Sequence, residues 1–177
     1  MHSTMKSHLD MTDFHGQVWN SAEPARALGV SESTSRRYLD LLTDAFMIRQ
    51  LQPYHANLKK RQVKSPKIYV RDSGLLHQLL GIDSIKNLFS HPRVGSSWEG
   101  FVIEQLLGIE PHDEVFFWAT RQGAEIDLII RRGGELYGVE CKHTDTRRLT
   151  PSMRIALDDL NLRKSIMTRQ GSIHFLT

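Results

Sequence analysis

Gly133-Gly134, set between two runs of strand-forming residues, constrains this chain more than any other feature. Paired glycines tolerate positive φ at two consecutive positions, the signal for a two-residue hairpin loop. Glu125-Ile126-Asp127-Leu128-Ile129-Ile130 reads as one strand and Leu136-Tyr137-Gly138-Val139-Glu140-Cys141-Lys142 as its partner. With Gly133-Gly134 as the loop, Arg132 pairs with Glu135, so Asp127 falls opposite Glu140 and Glu125 opposite Lys142. Strand side chains alternate faces, which puts Glu140 and Lys142 together and turns Cys141 away. Two carboxylates set opposite each other repel. A divalent cation between them turns that cost into a binding site. Lys142 is then placed to stabilise developing negative charge or to orient a water. The plainer alternative is a charged surface hairpin, with Glu125 and Lys142 as an ordinary cross-strand pair. Ile126, Leu128, Val139 and Cys141 read as the opposite, apolar face, which predicts a sheet packed on one side with its charged side in a cleft.

The chain is long enough, at 177 residues and 40% hydrophobic, for one large domain or two small ones with a real core. Its net charge of +3 says little, but the distribution is uneven. Between Lys59 and Arg71 stand Lys59, Lys60, Arg61, Lys64, Lys67 and Arg71 with no acidic residue among them. The single cysteine, Cys141, excludes an internal disulfide framework and fits a reducing compartment, so a cytoplasmic protein is expected. Cys141 itself reads as a small core residue. No apolar run approaches the ~20 residues of a membrane span. The start of the chain, Met1 to Lys6, is too polar for a secretory signal. A Gly-x-x-x-x-Gly-Lys-Ser/Thr motif is absent, so no nucleotide is bound through a P-loop, and the nine histidines show no zinc spacing.

Along the chain, residues 5–19 read as a weakly amphipathic helix. A second helix starts at Ser21, accommodates Pro24 in its first turn and stops at Gly29. Ser31 caps a third, running to about Ala45. In it Tyr38, Leu41, Leu42 and Ala45 recur at helical spacing and are expected to face a core, with Ser33, Arg36, Arg37 and Asp40 on the other side. Helix, glycine turn and polar-started helix is the helix-turn-helix pattern. Strands are expected at Phe46 to Leu51 and Lys67 to Arg71, joined by the basic stretch His55 to Pro66 where a winged helix carries its wing. Arg36 and Arg37 on the third helix, with Lys59, Lys60, Arg61 and Lys64 in the wing, are the candidate DNA contacts. Asp72 caps a helix that stops at Gly81 and whose leucine pairs are expected in the core, and residues 82–90 read as one more. His91 to Ser97 is the best boundary, dividing 1–90 from 91–177.

Past it, Ser97 to Leu107 reads as a buried helix with Trp98, Val102 and Leu106 in one stripe. Glu99 stands at its start, where the helix dipole alone favours a carboxylate. Val115 to Trp118 is a strand and Arg121 to Ala124 a turn. Thr150-Pro151 opens a helix to about Leu160, Lys164 to Thr168 reads as the last strand of the unit, and Ile173 to Leu176 is a candidate for another. The second half is thus α, β, β, β, α, β. Arg121, Arg131, Arg132, Arg147 and Arg148 are candidate phosphate holders at the cleft, or ordinary surface charges, and His143 is expected to point away from it.

An αβββαβ unit with an acid on its first helix, then Asp, then Glu-x-Lys, resembles the PD-(D/E)xK nuclease-like superfamily, here through Glu99, Asp127 and Glu140-x-Lys142. The likeness goes further. Tyr54-His55-Ala56-Asn57-Leu58, Lys64-Ser65-Pro66-Lys67-Ile68-Tyr69, Arg71-Asp72-Ser73-Gly74-Leu75-Leu76, Trp98-Glu99-Gly100-Phe101-Val102, Gly123-Ala124-Glu125-Ile126-Asp127-Leu128 and Ala156-Leu157-Asp158-Asp159-Leu160 together resemble a prokaryotic family of ATP-binding proteins. Its members carry an AAA+ type ATPase domain, a winged helix and a C-terminal domain of unknown function with the restriction-endonuclease-like fold.

The resemblance covers about residues 11 to 177 and implies a mixed α+β chain: a winged helix-turn-helix followed by a restriction-endonuclease-like domain. It implies Glu99, Asp127, Glu140 and Lys142 as catalytic residues, with Mg²⁺ (or Mn²⁺) on Asp127 and Glu140. The ATPase half has no counterpart in these residues, which makes an ATPase domain an expected partner beside DNA. A homo-oligomer is compatible with the sequence and a membrane partner is not expected. Three functions stay open: a metal-dependent nuclease module, a catalytically silent docking module for the ATPase, and a DNA binder acting mainly through the winged helix.

Overall fold

The structure, a computed structural model, describes residues 11–55, 62–109, 112–142, 150–169 and 172–176. A 3₁₀ turn, Met11–Phe14, leads into β1 (Gln17–Val18), α1 (Ala22–Leu28), α2 (Glu32–Asp44), β2 (Ile48–Leu51), β3 (Lys67–Val70), α3 (Ser73–Leu79) and α4 (Ile85–Ser90). Then come α5 (Val94–Ile109), β4 (Glu114–Ala119), β5 (Glu125–Arg132), β6 (Glu135–Cys141), α6 (Pro151–Leu160), β7 (Lys164–Arg169) and β8 (Ser172–Leu176). The fold is mixed α+β. Its first sheet is antiparallel, in the order β1-β3-β2, and its second runs β4-β5-β6-β7-β8 with β6 and β7 parallel.

Local chemistry places most of these elements. Ser31 Oγ accepts from the Thr34 N–H to cap α2, and Gly29 ends α1 in the left-handed region at φ 67°. Asp72 caps α3 through the Leu75 N–H, and Thr150 caps α6 with Pro151 at its first position. Gly133 and Gly134 take φ values of 58° and 81°, and the hairpin ladder runs from Arg132 opposite Glu135 to Leu128 opposite Val139, the register the glycine pair dictates.

Tertiary packing overrides the sequence expectation in several places. From residue 11 the stretch expected as a helix is the 3₁₀ turn and the two-residue β1, because Phe14 and Trp19 pack edge to face at 5.0 Å and β1 is pulled onto β3. On α2 the core side is Ser35 and Leu39, with Leu42 packed against it. Tyr38 and Leu41 are exposed at 47% and 62%. Two stripes on this helix have helical spacing, and the one through Leu39 packs on Phe14, Trp19 and the first sheet. Leu76 of α3 is buried but Leu79 is exposed. Helix α5 starts at Val94, inside the expected boundary segment, so Glu99 lies beyond its first turn and the helix dipole does not account for that carboxylate.

The second sheet is covered on both faces, not one. Leu128, Ile130, Val139 and Cys141 pack with Val102 and Ile103 of α5, whereas Ile126 and Ile129 pack with Met153, Ala156 and Leu160 of α6. A bulge explains the split. Phe116 pairs with Ile129 but Trp118 with Ile126, so β5 carries one extra residue at Asp127-Leu128 and its facing pattern slips there. The α5-side core also takes in Leu51 of β2 and Tyr69 of β3, so the two sheets share it.

Candidate metal centre

The bulge on β5 sits where the ladder to β6 ends, and it puts Asp127 at the mouth of the α5-side core. Asp127 is 8% exposed, and its Oδ2 accepts the Cys141 N–H at 2.7 Å. Glu140 is 5% exposed. Its Oε1 is 2.6 Å from the Lys142 ammonium, and its buried Oε2 has no hydrogen-bond partner among the described residues. Glu99 comes down from α5 and Glu125 lies two residues before Asp127. Oxygens of Glu99, Glu125 and Asp127 all lie within 4.8 Å of one another.

The cation that sits among them comes from the other half of the chain. Lys67 of β3 is 5% exposed, with its Nζ 2.9 Å from Glu99 Oε1, in contact with Glu125 and 3.9 Å from Asp127 Oδ1. The ammonium also lies 5.8 Å over the Phe117 ring. Tyr69, one turn of the pleat along β3, donates its hydroxyl to Glu99 Oε1. Further along α5, Glu104 accepts from Arg49 of β2 and from Arg71, the latter at 3.0 Å, a second ionic brace, between the first sheet and α5.

Electrostatics separates these carboxylates. Burial, then the charges of Glu99 and Glu140, push the Asp127 pKa well above the usual carboxylate range, against Lys67 and the Cys141 N–H. Burial also raises Glu140, with Lys142 opposing. Burial would lower the Lys67 pKa, but Glu99, Glu125 and Asp127 overcome it and raise it. Glu104 goes the other way: burial would raise it, and the two arginines hold it below its ordinary value. The centre is thus short of positive charge at Asp127 and Glu140. Glu99, Glu125 and Asp127 form a convergent oxygen donor set that fits a hard divalent cation such as Mg²⁺, with the unpartnered Glu140 Oε2 within electrostatic reach of Asp127.

Among the residues expected at the site, Glu99 and Asp127 meet through Lys67, and Glu140 and Lys142 pair with each other beside them. Lys142 does not pair with Glu125, which Lys67 takes. Arg131 and Arg132 are not at this end of the hairpin. Arg131 pairs with Glu114 and lies over the Tyr54 and Phe116 rings, four residues along the strand from Asp127, roughly 13 Å away at ordinary strand rise. Arg121 is exposed in the turn before β5, and Arg147, Arg148 and His143 lie outside the described residues. Lys67 and Tyr69 escape the sequence reading as site residues. The signal that could have found them is a lysine inside an otherwise apolar strand, Lys67-Ile68-Tyr69-Val70, every residue of which is buried.

Of the candidate DNA contacts, Arg36, Arg37 and Lys64 are exposed, and Lys59, Lys60 and Arg61 lie outside the described residues. Arg36 and Lys64 line one groove of about 640 Å³ between α2 and the end of the first sheet. Arg36 also reaches Ser21 Oγ at 3.4 Å and Glu32 at 3.9 Å. Among the described residues no helix is long and apolar enough to cross a membrane.

Comparison with known proteins places this geometry among uncharacterised relatives. Residues 5–86 match a domain of unknown function (DUF8612) and residues 94–175 match another (DUF4143). An uncharacterized protein of Mycobacterium tuberculosis and one of Mycobacterium bovis are each 48% identical over 172 residues, 97% of this chain. The chain spans 38% of the length of each. No solved structure matches it.

Proposed function

We propose that the chain is the nuclease-like, DNA-associated module of a cytoplasmic AAA+ type ATPase, with Asp127 and Glu140 holding Mg²⁺ or Mn²⁺ for phosphodiester hydrolysis. The observation that carries this reading is the buried Asp127 and Glu140 pair, short of cations and with Glu140 Oε2 unpartnered, beside a half-exposed Lys142. The order α5, β4, β5, β6, α6, β7 supports a restriction-endonuclease-like unit, and α1 and α2 with the first sheet support a winged helix. Domains of the DUF4143 kind are typical of AAA-ATPase-associated proteins.

When bound, the ion supplies Lewis acidity to a phosphoryl oxygen and lowers the pKa of its water. The chain's own residues do the rest. Asp127, fixed by the Cys141 N–H, and Glu140, fixed by Lys142, present oxygens without rotamer search. Lys142 is exposed enough to turn an N–H toward a phosphoryl oxygen and offset its growing charge. Glu99 is held by Lys67 and Tyr69 and positions that pair. Arg36, Arg37 and Lys64 neutralise backbone phosphates of the duplex.

Calorimetric titration of Mn²⁺, beside plasmid nicking, tests this. Wild-type binding that disappears in Asp127→Asn with Glu140→Gln, together with nicking that is lost in the same variant and in Lys142→Ala, is the expected outcome. Wild-type protein that takes up no Mn²⁺ and leaves plasmid intact rules the reading out.

A second reading, a docking module for the ATPase, has its own support. Tyr38, Leu41, Phe46 and Met47 are exposed at 47%, 62%, 73% and 44% along the free side of α2 and the turn after it. Apolar patches of this kind mark contact sites. Uptake of an ATPase domain that is lost on Leu41→Lys, with no nicking under any metal, would favour it.

A further inference from the structure

Lys67 is the one buried lysine among the described side chains, while Lys64, Lys86 and Lys142 reach solvent wholly or in part. Its backbone is not free to relocate, since β3 is the central strand of the first sheet and Lys67 pairs with Val18 on one side and Leu51 on the other. The side chain leaves that sheet and ends among Glu99, Glu125 and Asp127, the three carboxylates whose oxygens converge within 4.8 Å. A buried charge is tolerated only when paired, and carboxylates converging around a buried Asp127 and Lys67 call for a cation among them.

We infer that the Lys67 ammonium is the resident cation of this centre, filling the position from which Glu99, Glu125 and Asp127 would otherwise ligate a divalent ion. The N-terminal half thereby controls whether, and where, the C-terminal half takes metal. This rests on the reading that the acidic centre binds divalent ions.

Charge and stereochemistry both support it. Four carboxylates, Glu99, Glu125, Asp127 and Glu140, face two ammoniums, Lys67 and Lys142. The oxygen left open for an ion is Glu140 Oε2, away from the Lys67 contacts. Lys67 donates three N–H groups and accepts none, so it satisfies carboxylate oxygens as a metal does but offers no open position for a water or a phosphate. With Lys67 in place the centre accepts one ion at Asp127 and Glu140. Removal of the Lys67 ammonium frees the Glu99 and Glu125 oxygens for it as well.

The test uses the whole chain and Mn²⁺ alone, with bound ion followed by electron paramagnetic resonance and by calorimetry. Lys67→Met is expected to lower the Mn²⁺ dissociation constant at least tenfold. Adding Glu125→Gln to Lys67→Met is expected to remove that gain. Lys67→Arg, which keeps the charge, is expected to bind as the wild type does. If Lys67→Met melts early, a rise in its melting temperature with Mn²⁺ that exceeds the wild type's upholds the inference equally well. Lys67→Met that binds no tighter than wild type, or a destabilised Lys67→Met that Mn²⁺ does not rescue, overturns the inference and leaves Lys67 as a strut. A wild type that binds no ion beside a Lys67→Met that does removes the resting nuclease reading but upholds this one. A wild type that binds and a Lys67→Met that binds equally does the reverse.

Discussion

His15 is 1% exposed and fully engaged. Its Nδ1 accepts the Val70 N–H at 3.0 Å, and its Nε2 lies 2.9 Å from the Ser96 carbonyl oxygen, which it serves as donor. That assignment is the neutral ring, and burial accordingly pushes its pKa below 6.5. The unfolded chain takes up a proton at the ordinary value and the folded chain refuses it, so stability falls as pH drops through 6.5 toward the folded value. Asp127 and Glu140 act in the opposite sense. Their raised values let the folded chain hold more protons than the unfolded one, so their penalty is relieved as pH falls through those raised values. In urea melts across this range, the wild-type midpoint is expected to decline below pH 6.5 through His15. His15→Gln is expected to lose that decline while being less stable at neutral pH, and an unchanged slope would count against the assignment.

Helix α5 approaches β3 closely at one glycine. A Cβ on Gly100 would stand 2.8 Å from His15 Cε1 and 3.3 Å from Tyr69 Cδ1, both ring atoms held by hydrogen bonds elsewhere. Gly100→Ala is therefore expected to cost about 1–3 kcal/mol in chemical denaturation despite the better helix propensity of alanine. On α2, Arg36→Ala with Arg37→Ala is expected to weaken binding to any duplex similarly and to reduce the salt slope by about one for each phosphate no longer neutralised, read by fluorescence anisotropy. Element by element, the hairpin was the most legible part because its register is set locally by Gly133-Gly134. The caps at Ser31, Asp72 and Thr150 were legible for the same reason. The side of α2 that faces the core was not, since Tyr38-Leu41-Ala45 and Ser35-Leu39-Leu42 have equally good spacing and only tertiary packing on Phe14, Trp19 and the first sheet decides between them. The bulge at Asp127-Leu128 was hidden too, because strict alternation on paper has no place for an extra residue. At the site, Asp127, Glu140 and Lys142 could be read from one hairpin, whereas Lys67 reaches it from a strand sixty residues upstream that carries no local mark of its partner.

Across the whole molecule the two family matches, 5–86 and 94–175, are separate, yet the structure is braced between them. The connection after β2 lies along the outer edge of β4, with Tyr54 N–H donating to the Phe117 carbonyl, Phe117 N–H to the Gln52 carbonyl, and Val63 N–H to the Ala119 carbonyl. That covers what would be an open edge strand. Residues 91–177 produced alone are expected to melt below the full chain and to associate through β4, by size-exclusion chromatography and scanning fluorimetry. Without Lys67 they are also expected to gain more from Mn²⁺ than the full chain does. The placing of His15 has a consequence for how the chain is made. Val70 and Ser96 lie 55 and 81 residues beyond it. At about 5–20 residues per second on the ribosome, the ring waits roughly 4–16 s for its second partner. His15 is thus fastened at both nitrogens only once Ser96 has been made, three residues before the Glu99 that comes to lie beside Lys67.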